Sequence, residues 1–363
     1  MALPSLSVLC GQMLVVGLEG HALLPEEERL LTTGERGGVV LFRRNIAPTM
    51  RAVAALNEAV ANAAPRDLPP LVAVDQEGGR VMRLGPPALQ LPPMRRLGDL
   101  GDEALVRRVA EGQARELAAL GFTMSFAPVA DIHTRDENPI IGDRAFATTP
   151  AGVARFAGAF AEGLARGGVL SCAKHFPGHG DTTVDSHLAL PRVDRTEAEL
   201  RAIELASFAA LAKNAAIDSM MTAHVVYPAL DREQPATLSH AICTDLLRRE
   251  LGFPGVLFSD DLEMRALTMP TGEAAVRAVL AGCDVLLVCS RADLAAEAHG
   301  ALVREAEKSA AFRARCEEAF GRSLAMRRRV PPAPLTGDGE LARIFEASKP
   351  LAAELARRLE GSS

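Results

Sequence analysis

The sequence predicts an α/β fold of the (β/α)8 TIM-barrel type, built as a single domain. Three observations point there. Eight short apolar runs recur along the chain, helical patterns separate most of them, and 363 residues suit one large barrel. Periodicity alone leaves a doubly wound open sheet as the alternative.

The runs lie at residues 12–18, 38–42, 71–75, 123–128, 169–174, 219–224, 256–260 and 284–289. Several carry Val, Leu or other apolar residues at nearly every position, the pattern of strands buried on both faces. The first helical pattern, 50–63, is Ala-rich and ends before Pro65. The next, 102–120, sits between Gly101 and Gly121 and places Leu105, Val109, Ala114 and Leu117 near one face. A third, 151–165, stops at Gly167-Gly168; a fourth, 197–213, has Thr196 as its cap. Ser239 opens 239–251, which stops at Gly252. A helix at 272–280 stops at Gly282, and 291–308 follows the eighth run. Residues 1–330 form the barrel. Residues 331–363 form an extension that starts at Pro331-Pro332 and carries a helix over 340–359 packed on the barrel. No second domain is expected.

Composition narrows the function. The formal charge of −6 and the lack of a Lys/Arg run give no reason for a nucleic-acid or anionic-membrane partner. No window holds the ~18 uninterrupted apolar residues of a membrane span. The apolar N-terminus lacks a basic segment and contains Pro4 and Gln12, so 13–18 reads as a strand and not as an export signal. The six cysteines form no C-x-x-C pair, and several sit in apolar runs, which predicts reduced, buried thiols and a cytoplasmic location. Trp is absent and Tyr227 is the single tyrosine, so any sugar must be held by polar and charged groups more than by aromatic stacking. No cofactor and no metal are expected, and a monomer is the default.

On a barrel the chemistry collects at the C-terminal ends of the strands. The third run leads into Asp75-Gln76-Glu77 and Arg83; the fourth into Asp131 and a loop with Asn138, Asp143 and Arg144. The fifth ends in Lys174-His175, the sixth at His224, and the seventh in Asp260-Asp261. Each has a plainer reading. A carboxylate after a strand often caps a helix or pairs with Arg, and Arg144 could pair with Asp143 or Asp131. Clustering at one end favours a site. Adjacent strand residues point to opposite faces, so one of Asp260 and Asp261 faces the axis with Lys174 and the other supports a loop or turn; spacing does not decide which. Asp185 and His187, two apart in a polar loop, would point the same way in extended backbone. A carboxylate beside imidazole raises its basicity and sets its tautomer, which makes a proton-transfer dyad.

The segments 73–84 (AVDQEGGRVMRL), 138–146 (NPIIGDRAF), 174–187 (KHFPGHGDTTVDSH), 221–231 (MTAHVVYPALD), 235–239 (PATLS) and 258–264 (FSDDLEM) resemble the bacterial β-N-acetylglucosaminidases of glycoside hydrolase family 3. The resemblance spans roughly residues 10–290 in order and implies a (β/α)8 barrel. By it, Asp260 matches the nucleophile, His187 the general acid/base and Asp185 the residue that orients His187. Asp75, Arg83, Arg144, Lys174 and His175 match the residues that hold the N-acetylglucosamine ring. It implies a retaining, exo-acting enzyme of cell-wall recycling whose small carbohydrate substrate is a muropeptide, GlcNAc-1,6-anhydro-MurNAc. In this reading Lys174 and Arg144 help hold Asp260 ionised. A neutral histidine would not repel an anionic acceptor, so phosphate is an alternative to water. Two other readings compete. A metal-dependent hydrolase could use His175, His179, Asp181, Asp185 and His187, but Lys174 adjoins the first and Pro177-Gly178 breaks the helical spacing. A non-catalytic sugar-binding barrel would need no nucleophile, acid/base and orienting residue together.

Overall fold

The computed structural model describes residues 4–138, 140–182, 190–332 and 336–361. Asp185 and His187 lie outside them. Eight parallel strands form one sheet: β1 Leu14–Gly17, β2 Gly38–Leu41, β3 Leu71–Val74, β4 Met124–Ser125, β5 Cys172–Phe176, β6 Ser219–Thr222, β7 Val256–Asp261 and β8 Val285–Val288. Each pairs with its neighbours in chain order, and β1 pairs with β8. The remaining edges, β4 and β5, meet as well. Ser125 N–H donates to the Leu170 carbonyl at 3.0 Å and Cys172 N–H to Ala127 at 2.8 Å, so the sheet closes. The fold is therefore the (β/α)8 barrel and not the open sheet. Regular β4 is shorter than the expected 123–128, although Phe126 N–H still donates to the Val74 carbonyl at 2.9 Å.

Alternation sorts the strand residues into two cores. Val15, Val40, Leu71, Ala73, Cys172, Val256, Phe258, Val285 and Leu287 pack inside the barrel. Their neighbours Leu14, Val39, Leu41, Val72, Val74, Leu257 and Leu286 pack outward against the helices. Because both sets are apolar, the strands read as continuous hydrophobic runs. The six cysteines are free and buried.

The outer helices follow their capping chemistry. Thr49, Asp102, Thr149 and Thr196 each accept from a backbone N–H of the helix that they open, and Thr196 with Glu199 completes a capping box. The expected helix 197–213 is broken. Ile203 leaves helical geometry (φ −117°, ψ −86°), separating Glu197–Ala202 from Glu204–Leu211 as Glu204 turns inward against Gly178. The helix 239–251 forms as wide-turned Ala241–Glu250, with the Ser239 hydroxyl accepting from Ile242 N–H at 3.2 Å. Four helices were not anticipated: Leu6–Gly11, Pro25–Thr32, Met94–Asp99 and Ala310–Arg327. The last closes the barrel floor. Its Met326 enters the inner core, and Arg327 donates to the carbonyls of Gly37 and Pro69 at 3.0 Å and to Gln12 Oε1 at 2.8 Å. Helix Asp338–Glu360 lies against Glu103–Ala119, with Arg108 on Glu354 at 2.5 Å and Arg358 on Asp102 at 3.1 Å. Among the described residues no helix is long and apolar enough to cross a membrane.

Candidate active site

The inward parity of each strand continues one step past the apolar core, and there the residue types change. After Leu71 and Ala73 comes Asp75; after Cys172, Lys174; after Val256 and Phe258, Asp260. These side chains share a cavity of about 220 Å3 at the C-terminal mouth with Arg83, Arg144, His175 and Glu77. The described site residues expected from the sequence thus come together.

Three loops supply the residues that do not sit on strands. Past β3 the chain makes a short antiparallel hairpin, Gln76–Gly78 with Val81–Met82. Gly78 has φ +135°, and a Cβ there would lie 2.3 Å from Met94 Cε, so only glycine permits the turn. Gln76 Oε1 accepts from the N–H groups of Arg83 (2.9 Å) and Leu84 (3.1 Å), fixing Arg83 over the mouth. The loops after β4 and β5 are fastened by Asn138. Its Nδ2 donates to the carbonyls of His179 (2.9 Å) and Gly180 (3.0 Å), and its Oδ1 accepts from Ile140 (2.9 Å) and Ile141 (2.8 Å) N–H. Gly180 presses on Ile132, whose carbonyl oxygen is 1.6 Å from where a Cβ would stand.

A chain of alternating charges runs along one wall. Arg83 Nη2 meets Asp75 Oδ2 at 2.8 Å, and Lys174 Nζ meets Asp75 Oδ1 at 2.8 Å and Glu77 Oε1 at 2.6 Å. Arg144 grips Glu77 with Nε and Nη2, each at 2.8 Å. Lys174 is 3% exposed and Glu77 1%, so these charges persist only because each is paired. Burial pushes both carboxylates up. The Lys174 and Arg83 cations outweigh it at Asp75, holding that group well below the usual range, and Arg144 and Lys174 hold Glu77 at about 2. Burial alone would lower Lys174, but Asp75 and Glu77 raise it. Glu77 was not singled out from sequence. The available signal was its parity with Asp75 and the need of three cations for a second carboxylate.

The β5–β6 register shifts between Lys174 and Phe176, which lets the successive residues Lys174 and His175 both reach the cavity. Asp131 accepts from His175 Nδ1 at 2.7 Å, His175 N–H at 3.1 Å and His179 N–H at 2.6 Å. The carboxylate places the ring proton on Nδ1 and leaves Nε2 for the cavity. Burial, the largest influence on Asp131, is outweighed by His175 and His179, so its carboxyl lies below the usual range. Asp131 therefore serves His175, not Arg144. His179 is buried, bonded to Thr182 Oγ1 at 2.8 Å, and pushed down to about 4 by burial and by His175.

The two aspartates that end β7 separate. Asp261 turns back into structure. Its Oδ1 accepts from Glu263 N–H at 3.1 Å and Cys289 N–H at 3.3 Å, and its carbonyl accepts from His224 Nε2 at 2.9 Å. Burial and Glu263 push its carboxyl up to about 7. Asp260 continues the inward set. Its Oδ1 accepts only the Asp261 N–H, at 2.8 Å, among the described residues. Burial raises Asp260, but His224, His175, that N–H and Lys174 together bring it below the usual carboxylate range. Of the two cations expected to support it, Lys174 is among these influences, while Arg144 is bonded directly to Glu77. Asp260 is thus an ionised, half-buried carboxylate with one oxygen uncommitted among the described residues, facing a wall of cationic donors.

Comparison with known proteins shows the family. The model of the glycosyl hydrolase family 3 N-terminal domain matches residues 5–321. A β-hexosaminidase of Neisseria meningitidis serogroup C is 41% identical over 295 residues, which are 78% of this chain and 80% of that protein. The structure of a family 3 β-N-acetylglucosaminidase from Paenibacillus sp. FPU-7 superposes with a TM-score of 0.88 at 36% identity, covering 97% of this chain and 69% of that one. The NagZ structure from Neisseria gonorrhoeae in complex with N-trifluoroacetyl-D-glucosamine does so at 0.80 and 33% identity, covering 95% and 98%. The chain is a glycoside hydrolase that belongs to glycosyl hydrolase family 3 and groups with its β-hexosaminidases.

Proposed function

We propose that the enzyme is a retaining, exo-acting β-N-acetylglucosaminidase that removes terminal N-acetylglucosamine from peptidoglycan-derived muropeptides in the cytoplasm. The observation that carries this reading is Asp260: ionised, turned into the cavity and bonded only to its neighbour's N–H among the described residues. A carboxylate so placed is a nucleophile awaiting an electrophilic carbon. The cavity of about 220 Å3 is below the roughly 300–1,000 Å3 of pockets for larger ligands, which favours a single terminal ring.

In the first step an Asp260 oxygen bonds to the anomeric carbon as the bond to the aglycone oxygen breaks. His187, oriented by Asp185, gives that oxygen its proton. In the second step neutral His187 takes a proton from water. The water oxygen bonds to the anomeric carbon, and the ester to Asp260 breaks with net retention. Asp75, Arg83, Arg144, Lys174 and His175 hold the ring hydroxyls with charge-assisted hydrogen bonds, in place of aromatic stacking. The Asp75–Lys174–Glu77–Arg144 chain is held by its own ion pairs, which fix these side chains in the geometry that the ring would meet.

The test is trapping. A slowly hydrolysed fluorinated N-acetylglucosaminyl fluoride should add one sugar mass to the peptide carrying Asp260. Asp260→Asn should lose the label and lower kcat on an aryl N-acetylglucosaminide on the order of 1,000-fold. Near-native turnover by Asp260→Asn, or a label on another carboxylate, would remove the assignment.

A further inference from the structure

A second cavity lies on the outer side of the barrel, away from the catalytic mouth. Four of the barrel helices run for fourteen to seventeen residues, but Pro25–Thr32 has eight. It leaves the outer faces of β1 and β8 short of cover, and a space of about 550 Å3 opens between it and helix Ala292–Lys308. The walls are apolar, formed by Val16, Leu30, Leu31, Val39, Val288 and Ala295. Leu24 is at the rim, 48% exposed, one of the few large apolar side chains left in water.

The lining also carries Glu19, Glu26, Glu27, Glu35, Arg29 and Arg291, all exposed or half-buried, and one cation that is buried. Arg36 is 5% exposed, lines the cavity, and lacks a carboxylate partner among the described residues. Its one hydrogen bond runs from Nη1 to the carbonyl of Glu35, at 2.7 Å. The nearby carboxylates are engaged elsewhere. Glu35 accepts from the Ser7 hydroxyl and from Thr33 Oγ1 at 3.2 Å, Glu26 holds Arg29 at 2.7 Å, and Glu27 accepts the N–H of Leu24 at 2.8 Å. Burial pulls the Arg36 guanidinium down to about 10, which leaves it charged at neutral pH. Its other donors open on the cavity, where an anion would complete the ion pair that the buried guanidinium lacks.

We propose that this cavity is a ligand site for a small amphipathic monocarboxylate, with the carboxylate on Arg36 and an alkyl tail of roughly eight carbons along β1 and β8. Arg36 selects the head group, because it is the buried cation of the lining and lacks an ion-pair partner among the described residues, whereas the carboxylates of the lining are exposed or half-buried. The apolar walls select the tail, because burying it releases water from both surfaces. The site shares no residue with the catalytic cavity. Val288 faces it, while the flanking Leu287 and Cys289 face the catalytic side of the same strand.

Calorimetric titration with sodium octanoate tests the proposal, with octylammonium chloride as the cationic counterpart. The intact enzyme should bind octanoate saturably, with Kd near or below about 1 mM, and should not bind octylammonium. Arg36→Gln should weaken octanoate at least tenfold or so. Ala296→Phe, which enters the mouth from an exposed helical position, should do the same without touching the buried cation. It keeps the test decisive if Arg36→Gln melts early in circular dichroism. The proposal is overturned by no saturable octanoate binding up to ~10 mM, by equal binding of the two probes, or by binding that survives Ala296→Phe unchanged.

Discussion

Glu77 shows how one residue carries two tasks. It is buried and holds both Lys174, which it shares with Asp75, and Arg144, which has no other carboxylate in ion-pair contact among the described residues. Glu77→Gln keeps the shape and removes the charge. Breaking a buried pair from one side should cost about 3 kcal/mol at neutral pH, read as a lower denaturant midpoint. The pH dependence has a definite sign. Glu77 titrates at about 2 when folded, below its ordinary 4.5, so its stabilisation is complete above about 4.5 and fades as pH falls towards 2. The gap between wild type and Glu77→Gln should therefore narrow over that window. A gap that stays constant down to pH 2 would mean the loss is packing and not charge.

At the scale of elements, the site depends on how the loops after β4 and β5 are tied together. Asn138 satisfies four backbone groups of the two loops, and Arg144 follows closely on the Ile140–Ile141 turn that its carbonyl holds. Asp181 adds a second tie, accepting from Arg195 at 2.9 Å beside Arg135 at 3.4 Å. Asn138→Ala removes a bond from each of these groups, with the His179 carbonyl keeping Thr182 Oγ1 at 3.1 Å, and should cost about 2 kcal/mol. It should also lower kcat/KM by about tenfold or more, because a small displacement of Arg144 misplaces the ring. Unchanged kinetics with lowered stability would confine Asn138 to a structural part. The tie was not legible beforehand: Asn138 stood in a recognisable segment, but its partners are main-chain atoms some forty residues on, which a sequence pattern does not mark.

Across the whole molecule the two ends of the barrel divide the work. The C-terminal end holds the paired charges and Asp260. The N-terminal end is closed by Met326 and by Arg327, which is fully enclosed and bonded to three acceptors. Arg327→Met should strand the Pro69 carbonyl and Gln12 Oε1 and cost about 3 kcal/mol in thermal or chemical unfolding. Because that end is remote from the chemistry, kcat/KM at low temperature should stay within about twofold of wild type. A large kinetic loss in a protein that still folds would show that the floor and the mouth are coupled. The closing helix Ala310–Arg327 was not foreseen, since its buried face mixes Phe and Leu with Cys, Ala and Ser and makes a weak apolar stripe.

The order of residues by itself determined the eight strands, their parallel arrangement with intervening helices, and the charged residues at one end. These follow from local patterns: apolar runs, helix caps, and titratable groups directly after strands. It did not determine which of Asp260 and Asp261 faces the axis. Strands apolar on both faces carry no mark of inside and outside, so the parity that makes Val256, Phe258 and Asp260 one inward set exists only once the sheet has closed. Closure also decided that Glu77 joins Lys174 to Arg144, that Asp131 serves His175, and that a short helix leaves Arg36 facing an apolar space. Each of these brings together groups far apart in the chain, and their energies come from burial and pairing that only the tertiary structure creates.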